Sequence, residues 1–502
     1  GIAPNSNTDV QVGGLGRTQT VTVNLAGSAA GNLSVLTGGS INIGSGKSLS
    51  VYGDEVTNDS NINLTGGTLN LSSSTVSGSG TIRLQNGGTL SSVSGQSDVD
   101  LRGQRIATSG SSATIENINL NLNDTSVLSN SASTLNLINT SIRKLSGEQF
   151  MLTGNQVNLT DTTLTGVDLD GNFTVLGSVS NNQNVWDSRG TTAKFSGKLE
   201  INNSTGGTNR MQIENRLAAS ITIENNGQII VRETSSNTTS QLRLNDTNAT
   251  FTGNGSVQLL GNNAYLLHRA GTGNLVNDNE HTIKGYGIIQ GFDGTQGFTN
   301  KGYVWADVSN GALEITDSKV TNQGTMGATN NATLHINALS LSNATITQQN
   351  GGGFNDDIGR MTLTGGTWVA SNSGTINFNT GDEINDRFVN RANISLIGPT
   401  ADITVTGRSN AFIGSGQVTN SLDEIDRFIN GVPGKLTLVA NNFDSSQFDN
   451  YGQLYLSSGA RVSGLQNYAG GLIQGSGTLE GRASFANATG SFVNNGTIRA
   501  QG

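Results

Sequence analysis

Gly44-Ser45-Gly46-Lys47-Ser48 has the ending of a phosphate-binding loop, in which backbone amides and a lysine cradle phosphate. That motif also needs a glycine where this chain has Ile41. It needs a helix afterwards, and Leu49-Ser50-Val51-Tyr52 alternates as a strand does. Two acidic pairs, Asp382/Glu383 and Asp423/Glu424, carry the option of sugar cleavage. On a coiled scaffold they would stand about 10 Å apart if two coils separate them, near the upper end of the spacing used by inverting glycosidases. Helix capping explains the same residues together with Thr380, Ser421 and the neighbouring Arg387 and Arg427. The capping reading therefore stands ahead of the catalytic one.

Asp168-Leu169-Asp170-Gly171-Asn172 alternates oxygen ligands in the manner of a calcium loop but lacks the bidentate Glu further on. Asp98/Asp100 and Asp356/Asp357 are equally thin signals of the same kind, so calcium is possible and no site is assigned to it. His268, His281 and His335 are scattered and do not make a metal triad. Tyr286, Tyr303 and Trp305 have the chemistry of a sugar-stacking platform. In a thin core such rings are expected to fill the stack between coils instead. No Gly-x-Ser-x-Gly elbow is present. The sequence thus names no catalytic, cofactor-binding or metal-binding residues.

The elements that would have to position any site are repeats. Ile283-Lys284-Gly285-Tyr286-Gly287-Ile288-Ile289, followed by Phe298-Thr299-Asn300-Lys301-Gly302-Tyr303-Val304-Trp305-Ala306, sets the unit. Its second half returns at Val320 to Ala328. The whole unit returns as Ile473-Gln474-Gly475-Ser476-Gly477-Thr478-Leu479 and Phe492 to Ala500. A period of about 22 residues is the signature of a solenoid, whose coils pack only on their neighbours. Apolar residues alternate at Val21/Val23, Ile41/Ile43 and Ile62/Leu64, which puts one set inward and the other outward. Glycine pairs at Gly38-Gly39, Gly66-Gly67 and Gly87-Gly88 suit corners, because glycine accepts positive φ. Asn117, Asn119, Asn121 and Asn123 sit on an outward phase where equivalent side chains of a parallel stack can bond in ladders.

The expected fold is all-β: a parallel β-helix with coils of about 22 residues, one domain over 1–502, and residues 1–53 including an N-terminal cap. Short helical inserts are expected at corners 380–390 and 421–430, the second closing at Asn430-Gly431. The final residues Arg499-Ala500-Gln501-Gly502 follow a repeat corner. The expectation is that the native chain continues there or that another subunit covers that end.

Composition narrows the partners. With 27 Lys+Arg against 36 Asp+Glu, a net charge of -9 and no basic run, nothing provides the cationic stripe that nucleic acid requires. The chain has no cysteine, which removes disulfides and thiolate chemistry. No apolar run is long enough to span a membrane. Gly1-Ile2-Ala3-Pro4 does not resemble a signal peptide, and a mature secreted chain is expected.

The Gly-x-Gly-Thr-Leu/Ile step (Gly78 to Ile82, Gly475 to Leu479) carries a family resemblance, as does the Phe/Val-x-Asn-x-Gly-Thr-Ile-x-Ala step (Val493 to Ala500, looser at Phe298 to Ala306). Over most of its length, and most clearly from about Asn274, the chain resembles bacterial secreted β-strand-repeat proteins, akin in architecture to filamentous-haemagglutinin and autotransporter passengers. The resemblance implies a right-handed parallel β-helix at the bacterial cell surface, working as adhesin, matrix component or filament. It transfers no catalytic residue. The expected function is a non-enzymatic, extracellular structural or adhesive protein that self-associates end to end into a homo-oligomer or filament. The alternative is a polysaccharide lyase, glycosidase or glycan-binding adhesin on the same scaffold, contacting surface glycans.

Overall fold

A computed structural model describes residues 4–500 except 124, 145, 147–148, 177–182, 191, 204–206, 317–318, 338–339, 343, 348–359, 372–374, 380–386, 398–401, 407–410, 415–426, 432–433, 444–446 and 485–486. The fold is an all-β parallel β-solenoid with coils of about 22 residues. The chain divides into two compact units, Gly1–Asp246 and Thr247–Gly502.

In the first unit each early coil has three short strands. Val10–Val12, Gln19–Val23 and Ser28–Ala30 are followed by Leu33–Val35, Gly39–Gly44 and Ser48–Val51, and each strand pairs in parallel with its successor one coil later. Ile41, Ile62 and Ile82 therefore stand in one row, as do Ile43, Leu64 and Leu84. All six are buried. Alternation alone produces this, because in-register parallel stacking places every inward residue above an inward residue. The glycine pairs form corners for two different reasons. The first glycine of each takes a positive φ, +83° at Gly38, +72° at Gly66 and +91° at Gly87. The second lies so near the preceding coil that a Cβ would meet backbone: Val12 O for Gly39, Ile43 O for Gly67 and Leu64 O for Gly88.

In the second unit, longer strands turn from one sheet to the next without a loop. Thr282–Gln290 pairs through Thr282 to Gly285 with Tyr303–Ala306, and through Gly287 to Ile289 with Ala312–Ile315. The bend falls at Gly285 (φ +111°), where a Cβ would sit 1.9 Å from Leu259 O. Gly475 repeats this against Leu456 O at the same distance, so the two copies of the sequence unit share one backbone solution. Antiparallel excursions interrupt the stack where Ala344–Thr347 pairs with Arg360–Ser371 and Asp402–Thr406 with Ala411–Gly414.

The helical inserts need correcting at their ends, over 387–390 and 427–430. Residues 380–386 and 421–426 lie outside the described residues. Arg387–Ile397 and Arg427–Asn430 are strands, paired Arg387↔Arg427 through Asn390↔Asn430. The echoed segments are neighbours in the stack, not two coils apart. Residues such as Phe428 and Ile429 occur in strands as well as on a helix face, and in a run this short periodicity does not separate the two. Asn430 is not a helix cap; it is a buried member of the ladder described next.

Candidate functional site

Two side-chain systems distinguish the second unit, an internal asparagine ladder that fixes one corner and an outward aromatic face beside it. The ladder begins at Asn277, whose Nδ2 donates to Asn300 Oδ1 (2.7 Å); Asn300 Nδ2 donates to Asn322 Oδ1 (3.0 Å). It reappears further along, Asn430 to Asn450, Asn450 to Asn467 and Asn467 to Asn494, each at 2.7 Å. The same amides also donate to carbonyls of the next strand, such as Tyr303 O from Asn277 and Thr325 O from Asn300. Buried polar groups must be paired, and the stacked asparagines pair them by handing each amide to the next coil. His281 joins this system: its Nδ1 donates to Asn277 Oδ1 (2.6 Å) and its ring stacks on Phe251 at 5.0 Å. Burial lowers its pKa to about 4, so it is a neutral structural group at physiological pH.

Immediately after this corner the chain turns its rings outward. In Tyr303–Ala306 the buried residues are Val304 and Ala306, while Tyr303 is 45% exposed and Trp305 is partly exposed. Tyr286 also lies on an outward phase, at the bend of Thr282–Gln290. The expectation that these three fill the core is overturned. The described core takes its largest side chains from phenylalanines and from Trp186 and Trp368. The reason is polar: Tyr and Trp carry an O–H or N–H that water satisfies on the outside and that needs a partner inside. Trp186, the buried exception in the first unit, donates from Nε1 to Val167 O at 2.6 Å.

Glycines seat the rings. Gly327 is the register partner of Trp305, and a Cβ there would lie 2.2 Å from Val369 O on the next strand and 2.5 Å from Trp305 Cζ3. A Cβ on Gly311 would lie 2.7 Å from Tyr286 Cβ. Further along the same sheet Tyr455 carries Lys435 Nζ 4.5 Å from its ring centroid. At the adjoining corner Tyr451 and Tyr468 stack at 4.5 Å with planes 10° apart. Sequence reasoning named the first three rings and missed Tyr451, Tyr455 and Tyr468. The signal was present in the positions after Asn450 and Asn467, one coil apart. We expect Gly327→Ala to displace both the Val369 carbonyl and the indole, so that the thermal midpoint falls and acrylamide quenches Trp305 more strongly than in the wild type. The other two tryptophans are buried, so unchanged quenching would mean the glycine does not position the ring.

The remaining candidates resolve as structure. A strand, Ser48–Val51, follows the Gly44 to Ser48 segment. Asp168 to Asn172 lies inside the strand Val167–Leu176, not in a loop. There Asp168 Oδ1 accepts from Lys194 N (2.9 Å) and Asp170 Oδ1 from Ser196 Oγ (2.5 Å). An extended strand holds i and i+2 carboxylates apart instead of converging them on an ion. Asp98 and Asp100 accept from Asn119 and Asn121 one coil on, each at 2.9 Å, which is the ladder chemistry expected of those asparagines. The pairs Asp382/Glu383, Asp423/Glu424 and Asp356/Asp357 lie outside the described residues. Among the described residues no group of three His, Asp or Glu is placed to hold a metal ion.

One acidic cluster in the first unit was not anticipated. Asp187, Glu214 and Asp246 come from three neighbouring coils and are all buried. Asp187 Oδ1 accepts from Arg216 N (3.2 Å) and Asp246 Oδ2 from Asn215 N (2.7 Å). Glu214 Oε2 accepts from Gln212 Nε2 and Asn245 Nδ2, and its Oε1 pairs with Arg216. Burial, opposed by the Asn215 amide and reinforced by the charges of Glu214 and Asp187, pushes the Asp246 carboxyl up to about 6. Their separations in sequence follow no fixed coil length, which is why periodicity did not reveal them. At 3–7% exposure the three acids are closed to a polymer substrate. No protein-family model, curated protein or solved structure matches the chain.

Proposed function

We propose that this chain is a non-enzymatic, extracellular β-solenoid of a bacterial surface, of the secreted β-strand-repeat kind, that adheres by binding glycans. The observation that carries the reading is the outward aromatic face of the second unit, with Tyr303 and Trp305 side by side on one strand. A flat, partly exposed ring offers an apolar surface to the C–H face of a sugar, while amides beside the Tyr455 ring further along the sheet, Gln453 and Gln474, supply hydrogen bonds. The parallel stack brings a second outward ring, Tyr455, onto the same sheet further along, which suits a repeating ligand.

A panel of purified polysaccharides, read by protection of Trp305 from acrylamide, tests the adhesive part. A binding glycan should protect wild type, and Trp305→Ala should weaken its binding by about 10-fold or more, measured by calorimetry. Failure of every glycan to protect Trp305 would remove the adhesive reading. Incubation of the same glycans with protein should release no new reducing or unsaturated ends; their appearance would favour the sugar-cleaving alternative.

A further inference from the structure

The sheet that carries Trp305 continues to Tyr455 by an unbroken chain of register partners. Trp305 pairs with Gly327, Gly327 with Val369, Val369 with Ser395, Ser395 with Thr437, and Thr437 with Tyr455. These residues stand one above another on the outward phase of successive parallel strands. Five coil steps separate the two rings, about 24 Å at the spacing of parallel strands. Between the rings the track holds only a glycine and three small uncharged side chains, so its floor lies lower than its ends. At one end Tyr303 flanks Trp305; at the other Lys435 lies over the Tyr455 ring, and Tyr451 and Tyr468 stack at the corner.

We infer that this track is a single extended binding groove, in which one uncharged polysaccharide chain lies along the coil axis and is held at both ends by aromatic platforms. The inference rests on the glycan-binding reading and adds its ligand class, direction and two-point attachment. The lack of charge follows from the track itself and from the state of its lysines. Lys284, the register partner of Trp305, lies 4.0 Å from Asp307, and Lys435 is engaged with Tyr455. The chain as a whole carries -9, which disfavours an acidic polymer. The direction follows from the register: the two rings stand on one track of partners, and the low floor runs between them. Two sites on one continuous track of register partners convert the second contact into an intramolecular event.

The test is calorimetry of the intact protein with a length series of neutral oligosaccharides and their parent polymer. Affinity should rise by about 100-fold once the oligosaccharide is long enough to span both rings. Tyr455→Ala should abolish that rise, while short oligosaccharides, which reach one platform at a time, should lose only the Tyr455 share of their binding. Trp305→Ala should weaken binding at every length. An affinity that does not grow with length, or a Tyr455→Ala protein that keeps the rise, overturns the two-point groove and leaves single-platform binding standing. Tighter binding of a uronate polymer than of a neutral one overturns the ligand class. Absence of binding at all lengths removes the glycan reading itself. Circular dichroism and unchanged thermal midpoints of both variants, whose altered rings lie on the surface, keep these outcomes separate from misfolding.

Discussion

Asn300→Ala is expected to destabilise the second unit by roughly 3–6 kcal/mol, the largest effect of any single change in the ladder. Asn300 is fully buried. Its Nδ2 donates to Asn322 Oδ1 (3.0 Å), Gly302 O (3.2 Å) and Thr325 O (3.0 Å), and its Oδ1 accepts from Asn277 Nδ2 (2.7 Å). Removing it takes a partner from several buried polar groups at once, each costing about 1–3 kcal/mol, besides leaving a cavity. Asn300→Asp should be worse at neutral pH. A carboxylate would face the acceptors of Asn322, Gly302 and Thr325 with no proton to offer, and it would be a buried charge. Protonation restores a donor, so the Asp variant should recover part of its stability as pH falls, whereas the Ala variant should not. Denaturant unfolding combined with hydrogen exchange over residues 298–328 measures both. A solenoid coil depends chiefly on its neighbours, so lost protection should reach one coil either way. An Asn300→Asp protein as stable as wild type at pH 7 would show that the ladder does not hold the corner.

Asp246→Asn should stabilise the first unit at pH 7 and leave it unchanged near pH 4. The pKa of Asp246 is raised from 3.8 to about 6 by burial and by the charges of Glu214 and Asp187. Between those values the folded state binds more protons than the unfolded chain, so stability falls as pH rises through that window and stays reduced above it. Two pH units correspond to roughly 2–3 kcal/mol, or a rise of several degrees in midpoint for the Asn variant at pH 7. The substitution keeps an oxygen for the Asn215 amide, which lies 2.7 Å from Oδ2, and removes only the charge. Thermal scans from pH 4 to 7.5, with Trp186 as the local reporter, distinguish the outcomes. Parallel pH profiles for wild type and variant would mean that Asp246 does not hold a proton in the folded state. His281 has the opposite sign. Its depressed pKa withdraws stability from the second unit as pH falls from about 6.5 towards 4. Acid is thus expected to affect the two units differently, with Asp246 favouring the first unit's fold and His281 opposing the second's.

How much of this was legible in sequence depends on the range of the interaction concerned. The β-solenoid was fixed by local facts: period-two alternation at Ile41/Ile43 and Ile62/Leu64, glycine pairs where a positive φ is needed, and a unit returning every 22 or so residues. In-register parallel stacking adds no further choice, because like residues fall above like, and the Asp98–Asn119 and Asp100–Asn121 pairs follow directly. The Asn-x-Gly step was legible as a recurring motif, but whether its amide faced water or the core was not; only the stacked carbonyls of Gly302 and Thr325 make the inside the satisfied choice. The outward turn of Tyr303 and Trp305 was decided the same way. Val304 and Ala306 fill the core of that strand, and Gly327 leaves room for an indole only because it arrives from the next coil. Asp187, Glu214 and Asp246 met because coil lengths vary, a quantity that no single strand encodes. Sequence determined the repeating fold, since that depends on neighbours along the chain. Tertiary structure decided which polar and aromatic groups share a face, since that depends on which coil lies above which.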